Sequence, residues 1–232
     1  MNAVNYQKEL DKIIGVIEEE GGRPTLLLHS CCAPCSSYCL VYLRKWFDIT
    51  CFYYNPNITN EDEYYKRVNE LKRLASVLNE DPIGIKRDDN GQIQLTSYSD
   101  NYLDNVSEIK VISGDYDANS FIQMVQGRNY ENEPEGGKRC VSCYDMRLDK
   151  TALVAAEGDY SYFSTTLTIS PLKNAVWLNE IGVAKSELYN SKSIWLPSDF
   201  KKKNGYKFSV ELSERYNLYR QNYCGCDYSI RN

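Results

Sequence analysis

Seven of the nine cysteines fall into three tight groups, and these are the residues whose types and spacing could do chemistry. The groups are Cys31-Cys32-Ala-Pro-Cys35, Cys140-Val-Ser-Cys143 and Cys224-Gly-Cys226. They lie far apart in the sequence, so only folding could bring them together. A site built from them would offer up to seven thiolates, which favours an iron–sulfur cluster, zinc or a redox dithiol.

The first two groups predict different arrangements of their sulfur atoms. The spacing of Cys140 and Cys143 allows two thiolates to face one metal from a single turn of chain. The side chains of adjacent Cys31 and Cys32 should point apart, so the two would bind neighbouring metals, or one would bind a cluster while the other faces substrate. Cys35 could return to the same site on a first helical turn, where the helix dipole stabilises thiolates. The alternative is a purely structural role, in which Cys31 and Cys32 are two buried core cysteines.

The third group, Cys224-Gly-Cys226, is too tight for a relaxed pair of zinc ligands. It suits a redox-active dithiol or two ligands to different metals, and Gly225 gives the backbone the freedom to aim both sulfur atoms. Cys39 and Cys51 lie outside the groups, in a predicted helix and a predicted apolar strand, so we expect both to be structural.

His29 is the only histidine, and it precedes the first cysteines by two residues. It is either a packed, hydrogen-bonded residue or a donor to a cluster sulfur or to substrate. A single histidine excludes zinc sites built on several imidazoles. The chain also contains no glycine-rich nicotinamide or P-loop motif.

The elements that must position these residues alternate between strands and helices. Strands are predicted at Thr25–His29, Ile49–Tyr54, Pro82–Lys86, Tyr160–Leu167 and Ser193–Leu196, and helices at 36–46, 61–79, 148–157, 173–190 and 211–219. This pattern predicts an α/β fold, a Rossmann-like and mostly parallel sheet flanked by helices. Ligands gather at the carboxyl ends of such strands, so we expect the metal site there. Residues 1–232 should form a single domain, with an acidic insertion or extended loop at 88–117.

Composition and charge limit the classes of protein. The chain is 42% hydrophobic and 25% charged, as in soluble globular proteins. Its net charge of −5 does not by itself indicate nucleic-acid binding. One basic run, Lys201-Lys202-Lys203 followed by Lys207, is either a solvated loop or a phosphate-binding segment. The polar amino terminus and the lack of a long apolar run predict a cytoplasmic protein with reduced thiols and no membrane partner.

Longer motifs surround the cysteines. They are Leu-Leu-His29-Ser-Cys31-Cys32-Ala-Pro-Cys35, Tyr54-Asn-Pro-Asn57-Ile, Glu63-Tyr64 with Arg67, Glu133-Pro-Glu-Gly-Gly-Lys-Arg-Cys140-Val-Ser-Cys143-Tyr-Asp-Met-Arg147-Leu, Phe163-Ser-Thr-Thr-Leu-Thr-Ile-Ser170-Pro-Leu-Lys, Ser198-Asp199-Phe-Lys-Lys-Lys-Asn-Gly205-Tyr and Leu218-Tyr-Arg220-Gln-Asn-Tyr223-Cys-Gly-Cys226. In these motifs and their order the chain resembles the QueH family of cobalamin-independent epoxyqueuosine reductases. It departs from the family at 88–117, which is longer and more acidic than the resemblance leads us to expect.

The resemblance implies reduction of epoxyqueuosine to queuosine at the wobble position of tRNA, the last step of queuosine biosynthesis. It implies a [4Fe–4S] cluster on Cys31, Cys32, Cys140 and Cys143. Cys224 and Cys226 would be a redox pair, able to form a disulfide, or would bind an adjacent second metal, iron, for which Cys35 is a further ligand. In the alternative partition one sulfur of Cys224-Gly-Cys226 binds the cluster and Cys31 binds the second metal.

Other roles follow from the proposed reaction. His29, Asp145 or Tyr223 could protonate the leaving oxygen. Candidate tRNA contacts are Lys201, Lys202, Lys203 and Lys207 on the anticodon stem and Arg147 or Arg220 nearer the site. An unidentified electron donor is also required. The rival interpretations are a structural-zinc RNA-binding protein and another thiol–metal tRNA-modifying enzyme, such as a thiolase, although no phosphate loop is evident.

Overall fold

A computed structural model describes residues 4–189 and 192–230. The helices are α1 (Tyr6–Glu20), α2 (Ala33–Leu43), α3 (Glu61–Glu80), α4 (Ala118–Gly127), α5 (Lys138–Glu157), α6 (Ala175–Tyr189) and α7 (Gly205–Arg215), with short 3₁₀ turns at Asp100–Asn105, Thr166–Ile169 and Asp227–Ser229. The strands are β1 (Thr25–His29), β2 (Asp48–Tyr53), β3 (Ile83–Arg87), β4 (Ile93–Ser97), β5 (Lys110–Ser113), β6 (Tyr162–Thr165) and β7 (Ile194–Trp195). The predicted helix at 173–190 and the predicted domain at 1–232 extend to residues outside this description.

A parallel five-stranded sheet in the order β5-β2-β1-β6-β7 forms the centre of the fold. Successive residues of β1 face opposite sides of it. Leu26 and Leu28 pack into a core with α1, α2, α3 and α7, whereas Leu27 packs into a second core with α5 and α6. All three leucines are fully buried, as expected for a central strand covered by helices on both faces. The predicted α/β fold with a mostly parallel sheet is therefore confirmed.

The carboxyl end of β1 is where the first cysteines lie. His29, the last residue of β1, pairs with Phe52 of β2 and Thr165 of β6. The chain then leaves the strand, and α2 begins at Ala33. This edge of the sheet is the one predicted to hold the site.

Residues 88–117 are the part of the chain where the structure differs most from the prediction. It contains β4, which forms an antiparallel hairpin with β3 outside the main sheet, and β5, which pairs with β2 at the edge of the main sheet. An extended loop is thus wrong, and so is a place for β3 among the parallel strands. The hairpin turns at Gly91, which has a φ of +72°, and the preceding Asn90 completes an Asn-Gly turn signal.

Three helices also begin earlier than predicted, and the first is α2, at Ala33 rather than at residue 36. α5 starts at Lys138 rather than continuing only from residue 148, so its first two turns carry Cys140 and Cys143. α7 spans Gly205–Arg215 rather than 211–219, and an irregular tail follows it to Cys224. None of the helices within 4–189 and 192–230 is long and apolar enough to cross a membrane.

Candidate metal centre

The first thiol group consists of Cys31, Cys32 and Cys35. The Sγ atoms of Cys31 and Cys32 are 3.8 Å apart, and the three Sγ atoms all lie within 4.8 Å of one another. The expectation that Cys31 and Cys32 point apart is wrong, because the strand has already ended and Cys32 is the N-cap of α2. The alternation of side chains along a strand does not continue into that turn.

This spacing suits a single metal ion. Tetrahedral thiolates at about 2.3 Å from a zinc ion are separated from one another by roughly 3.8 Å. The Cys31 thiolate accepts hydrogen bonds from Cys32 and then Cys35, which hold the pKa of Cys31 well below its usual range. The same hydrogen bond to Cys31 raises the pKa of Cys32 to about 12 and also raises that of Cys35.

The second thiol group consists of Cys140, Cys143, Cys224 and Cys226. All four line one small cavity of about 20 Å³. Cys140 and Cys143 come from the first two turns of α5, and the irregular tail after α7 carries the other two. All seven clustered cysteines are free thiols, so no disulfide joins Cys224 to Cys226. The fold therefore brings together residues that are more than 80 positions apart in the sequence.

Hydrogen bonds to α3 hold the tail against the body of the protein. Arg73 Nη2 donates to the carbonyl oxygens of Tyr216 and Asn217, at 3.0 and 3.1 Å. Farther along, Arg67 Nη1 donates to the carbonyl oxygen of Cys224, at 3.1 Å. Gly225 has a φ of +120°, which confirms that this position uses the freedom of glycine.

A larger cavity of about 200 Å³ adjoins the smaller one and shares Cys224 and Lys173 with it. Its lining also includes Cys31, Cys35 and Arg147. The two thiol groups therefore face a common space that is large enough to admit part of a small organic group. Such a cavity at the carboxyl edge of a parallel sheet is a typical ligand site.

Two cations lie between the thiol groups. Arg147 is 1% exposed and donates to Asn55 Oδ1 and to Cys143 Sγ, the latter at 4.0 Å. Lys173 Nζ lies 3.5 Å from Cys224 Sγ. Burial alone would lower the pKa of both cations, but neighbouring thiolates, Cys143 for Arg147 and Cys224 for Lys173, raise it. Both side chains therefore carry a charge that favours thiolates.

The sequence predicts Arg147 as a tRNA contact near the site. Its guanidinium is buried and lines the larger cavity rather than the outer surface, so this contact stays a prediction that only a nucleotide inside the cavity can fulfil. Lys173, by contrast, was not predicted at all. The signal was present, because Lys173 ends the Ser170-Pro-Leu-Lys motif, but nothing in that motif shows that its amine turns back towards a cysteine more than 50 residues away.

The candidate proton donors occupy very different places. His29 is fully buried, with Nδ1 2.8 Å from Thr165 Oγ1 and Nε2 3.1 Å from the Tyr54 carbonyl oxygen. Burial, and after it the charge of Arg147, lower the pKa of His29 to about 3, so the ring is neutral near pH 7. His29 is not among the residues lining either cavity. These observations argue against His29 as the proton donor.

Of the two other candidate proton donors, Asp145 lies away from both cavities and Tyr223 lines one of them. Asp145 forms an ion pair with Lys185 of α6, at 2.9 Å, and lines neither cavity. Tyr223 does line the larger cavity. Burial, and then the charge of Glu63, raise the pKa of Tyr223, so its phenol keeps its proton at neutral pH.

The basic run is largely neutralised within the protein. Lys201 pairs with Asp199, Lys203 with Asp11 and Lys207 with Glu211. Asp11 also accepts from Tyr42, which lies next to the last residue of α2, whereas the first thiol group lies at the other end of that helix. Lys203 therefore lies near the carboxyl end of α2, and no residue of the run lines either cavity.

Arg220 is exposed, on the tail, and donates to Ser213 Oγ at 3.3 Å. It precedes Gln221, which lines the larger cavity. Of the predicted tRNA contacts, Arg147 lines the larger cavity and Arg220 immediately precedes a residue that does.

Comparisons with known proteins agree on one family. The family model described as "Epoxyqueuosine reductase QueH" matches residues 26–232. A protein of that name from Streptococcus pyogenes serotype M1 is 40% identical over 98% of this chain and 79% of its own length. Proteins of the same name from Staphylococcus epidermidis and Thermotoga maritima are 40% and 31% identical, over 96% and 89% of this chain and 83% and 90% of their own lengths.

Proposed function

The chain belongs to the epoxyqueuosine reductase QueH family and so reduces epoxyqueuosine in queuosine biosynthesis, and we propose that its three cysteine groups hold the metal centre for this reaction. The observation that carries the proposal is the arrangement of six free thiols around two adjoining cavities at the carboxyl edge of the sheet, with the thiol of Cys32 buried 3.8 Å from that of Cys31. The substrate is the epoxide-bearing nucleoside at the wobble position of tRNA.

The overall reaction fixes what the site must supply. Conversion of an epoxide to an alkene breaks two C–O bonds and forms one C=C bond, with two electrons and two protons consumed and one water released. The two electrons come from an external donor, which must reach the centre from the protein surface. The protons must come from groups that line the larger cavity.

The donor set fits an iron–sulfur cluster, because the sulfur atoms of two thiol groups face one space and few other ligand types are present. We propose Cys31, Cys32, Cys140 and Cys143 as the cluster ligands, as the family resemblance implies. Cys35, Cys224 and Cys226 then bind a second metal, iron, or act as a redox pair. When bound, such a centre supplies electrons one at a time and a Lewis acid for the epoxide oxygen.

One observation favours a third partition, which goes beyond the alternative by moving Cys32 as well as Cys31 to the second metal and placing both Cys224 and Cys226 on the cluster. Cys31, Cys32 and Cys35 are spaced for one ion, whereas a cluster spreads its thiolates over several irons, as the four residues around the smaller cavity could do. Iron counting on single variants separates the first partition from the others. If Cys35→Ala loses one iron and keeps the cluster spectrum, Cys35 belongs to the second metal under any of the three. If Cys226→Ala loses the cluster spectrum, the Cys224-Gly-Cys226 group supplies a cluster ligand and the partition proposed first is wrong.

The chain's own residues prepare the site in two ways. Arg147 and Lys173 place positive charge beside Cys143 and Cys224, which offsets the negative charge of the thiolates that would bind a metal centre. Tyr223 presents a protonated phenol to the larger cavity and is our candidate for the proton donor.

The tRNA must deliver its wobble nucleotide into the larger cavity, and unpaired loop bases can be splayed out in this way. Phosphate contacts from Lys201, Lys202, Lys203, Lys207 and Arg220 remain part of the proposal. The need for reduced thiols suits the cytoplasm.

Complementation tests the function in cells. A bacterial strain without its own epoxyqueuosine reductases accumulates epoxyqueuosine in its tRNA. Expression of this chain should replace epoxyqueuosine with queuosine in nucleoside digests, whereas Cys143→Ala, expressed to the same level, should not. Accumulated epoxyqueuosine with the wild-type protein present in soluble form would contradict the proposal.

The spacing of Cys31, Cys32 and Cys35 would also suit structural zinc. Metal analysis distinguishes the two functions. Anaerobically purified protein that is brown and contains iron and inorganic sulfide supports the reductase, and colourless protein with stoichiometric zinc supports a structural-zinc RNA-binding protein.

A further inference from the structure

Two buried polar atoms on residues that line the larger cavity have no hydrogen-bond partner. They are Nη2 of Arg67 and Oε1 of Gln221. A buried polar atom without a partner costs about 1–3 kcal/mol, and native proteins leave few of them. Two such atoms on residues lining one cavity therefore indicate a polar ligand.

Arg67 is held so that only one of its nitrogens is unused. Its side chain is 2% exposed, with Nε donating to Glu63 Oε1 at 2.7 Å and Nη1 donating to the Cys224 carbonyl oxygen. The Tyr223 ring lies 5.2 Å from the guanidinium. Nη2 is the remaining donor of a rigid and permanently charged group.

Gln221 offers the complementary atom. Its side chain lies against the Cys32 sulfur and acts to lower the pKa of that thiol, which identifies the amide N–H₂ as the end that donates to the sulfur. That orientation leaves Oε1 as the unused acceptor. Thiolates and inorganic sulfide are themselves acceptors, so a metal centre could satisfy Arg67 Nη2 but not Gln221 Oε1.

We propose that Arg67 and Gln221 together bind the ring hydroxyls of the substrate. Only a group that both accepts and donates satisfies the two atoms at once, and a hydroxyl does so. The cyclopentane ring that carries the epoxide of epoxyqueuosine also carries two hydroxyls. The inference rests on the proposed function, and it makes these two residues determinants of substrate specificity that place the epoxide against the thiol groups.

A paired comparison of enzymes and substrates tests this. The substrates are tRNA carrying epoxyqueuosine and the same tRNA carrying an epoxycyclopentane analogue without hydroxyls. The enzymes are wild type, Gln221→Met, which keeps the side chain's length and removes the acceptor, and Gln126→Met as an exposed control on α4. Iron and sulfide content is measured for each.

With epoxyqueuosine, Gln221→Met should raise KM by about tenfold, the value of one lost hydrogen bond. With the analogue, Gln221→Met and wild type should have the same KM, and Gln126→Met should match wild type on both substrates. An equal effect of Gln221→Met on both substrates would overturn the proposal. A wild type that forms no queuosine would instead refute the proposed function.

A crystal structure of the wild-type protein with the queuosine nucleoside gives a second measurement, which does not depend on the stability of a variant. The proposal predicts ring hydroxyl oxygens within hydrogen-bond distance of Arg67 Nη2 and Gln221 Oε1. A nucleoside bound with its hydroxyls elsewhere, and water on both atoms, would overturn it. This measurement decides the matter if Gln221→Met loses its iron.

Discussion

At the residue scale, cysteines in this protein have different roles because their surroundings differ. Cys31 lines the larger cavity beside two other thiols, whereas Cys51 is fully buried in β2 among apolar side chains. Both were assigned from the sequence, Cys31 to chemistry and Cys51 to structure, because one lies in a tight group and the other in an apolar strand.

Replacement of these two cysteines should separate the roles. We expect Cys31→Ala to lower the iron content of the anaerobically purified protein, because it removes a ligand. Cys51→Ala should keep the iron and lower only the melting temperature, because it leaves a small cavity in the core. Iron and sulfide analysis with thermal unfolding checks both, and a full iron content in Cys31→Ala would refute the assignment.

Arg147 is a fixed positive charge next to the thiol groups, so it should set how readily the bound centre accepts an electron. Reduction adds negative charge, which a nearby guanidinium stabilises. Arg147→Met should therefore lower the reduction potential of the reconstituted protein, while Arg147→Lys, which keeps the charge, should shift it less. An anaerobic redox titration followed by visible absorbance measures both.

An unchanged potential in Arg147→Met, with the iron content preserved, would show that Arg147 is only a structural residue. Sequence reasoning predicts Arg147 near the site but does not predict its burial, for a physical reason. An arginine is usually exposed, and only the fold reveals that Asn55, His29 and Cys143 surround this one.

At the scale of elements, the tail after α7 matters most, because it carries Cys224 and Cys226 without regular structure of its own. Its path depends on hydrogen bonds to α3 and on Gly225. A Cβ atom at Gly225 would lie 2.7 Å from Ile58 Cγ1, and the φ of +120° is strained for any other residue.

Gly225→Ala should therefore displace the tail and lower both iron content and activity. Gly91→Ala is the matched control, because Gly91 also has a positive φ of +72° but has no atom within 4 Å of its would-be Cβ. We expect Gly91→Ala to lose some stability and keep its iron. Equal iron content in the two variants would contradict the account of the tail.

Some strands of the main sheet can be predicted from the local pattern of apolar residues, and one cannot. β1, β2 and β6 were predicted because they are apolar runs that end in a motif. β5 was missed, because only four residues pair at the edge of the sheet and several of their side chains are exposed, so no alternation is visible in the sequence. Tertiary pairing with β2, which sequence does not display, defines this strand.

At the scale of the whole molecule, the open question is how a large tRNA meets a small cavity. The basic run at 201–203 lines neither cavity, so it would act on the body of the tRNA rather than on the wobble nucleotide. Charge reversal of Lys201, Lys202 and Lys203 should weaken tRNA binding and reduce its salt dependence, because fewer counterions are released.

Lys150→Glu, on the exposed surface of α5, is a suitable single-charge control. Fluorescence anisotropy at two salt concentrations measures the effect. Binding of the triple variant that equals wild type at both concentrations would remove this run from the tRNA interface, and Arg220 would become the first residue to test.

The sequence predicted the sheet, the edge that bears the site and the three cysteine groups, because these depend on local periodicity and on motifs. It did not predict the partners that the groups find in space. Lys173 beside Cys224, and Gln221 beside Cys32, arise from contacts between segments about 50 and 190 residues apart, respectively.

The most direct test of the central claim is nucleoside mass spectrometry on a purified reaction. The reconstituted protein is incubated anaerobically with epoxyqueuosine-tRNA and a strong chemical reductant, and the digested tRNA is analysed over time. The account predicts loss of epoxyqueuosine with equal gain of queuosine, dependent on both protein and reductant. Epoxyqueuosine that persists unchanged with iron-loaded wild-type protein would contradict it.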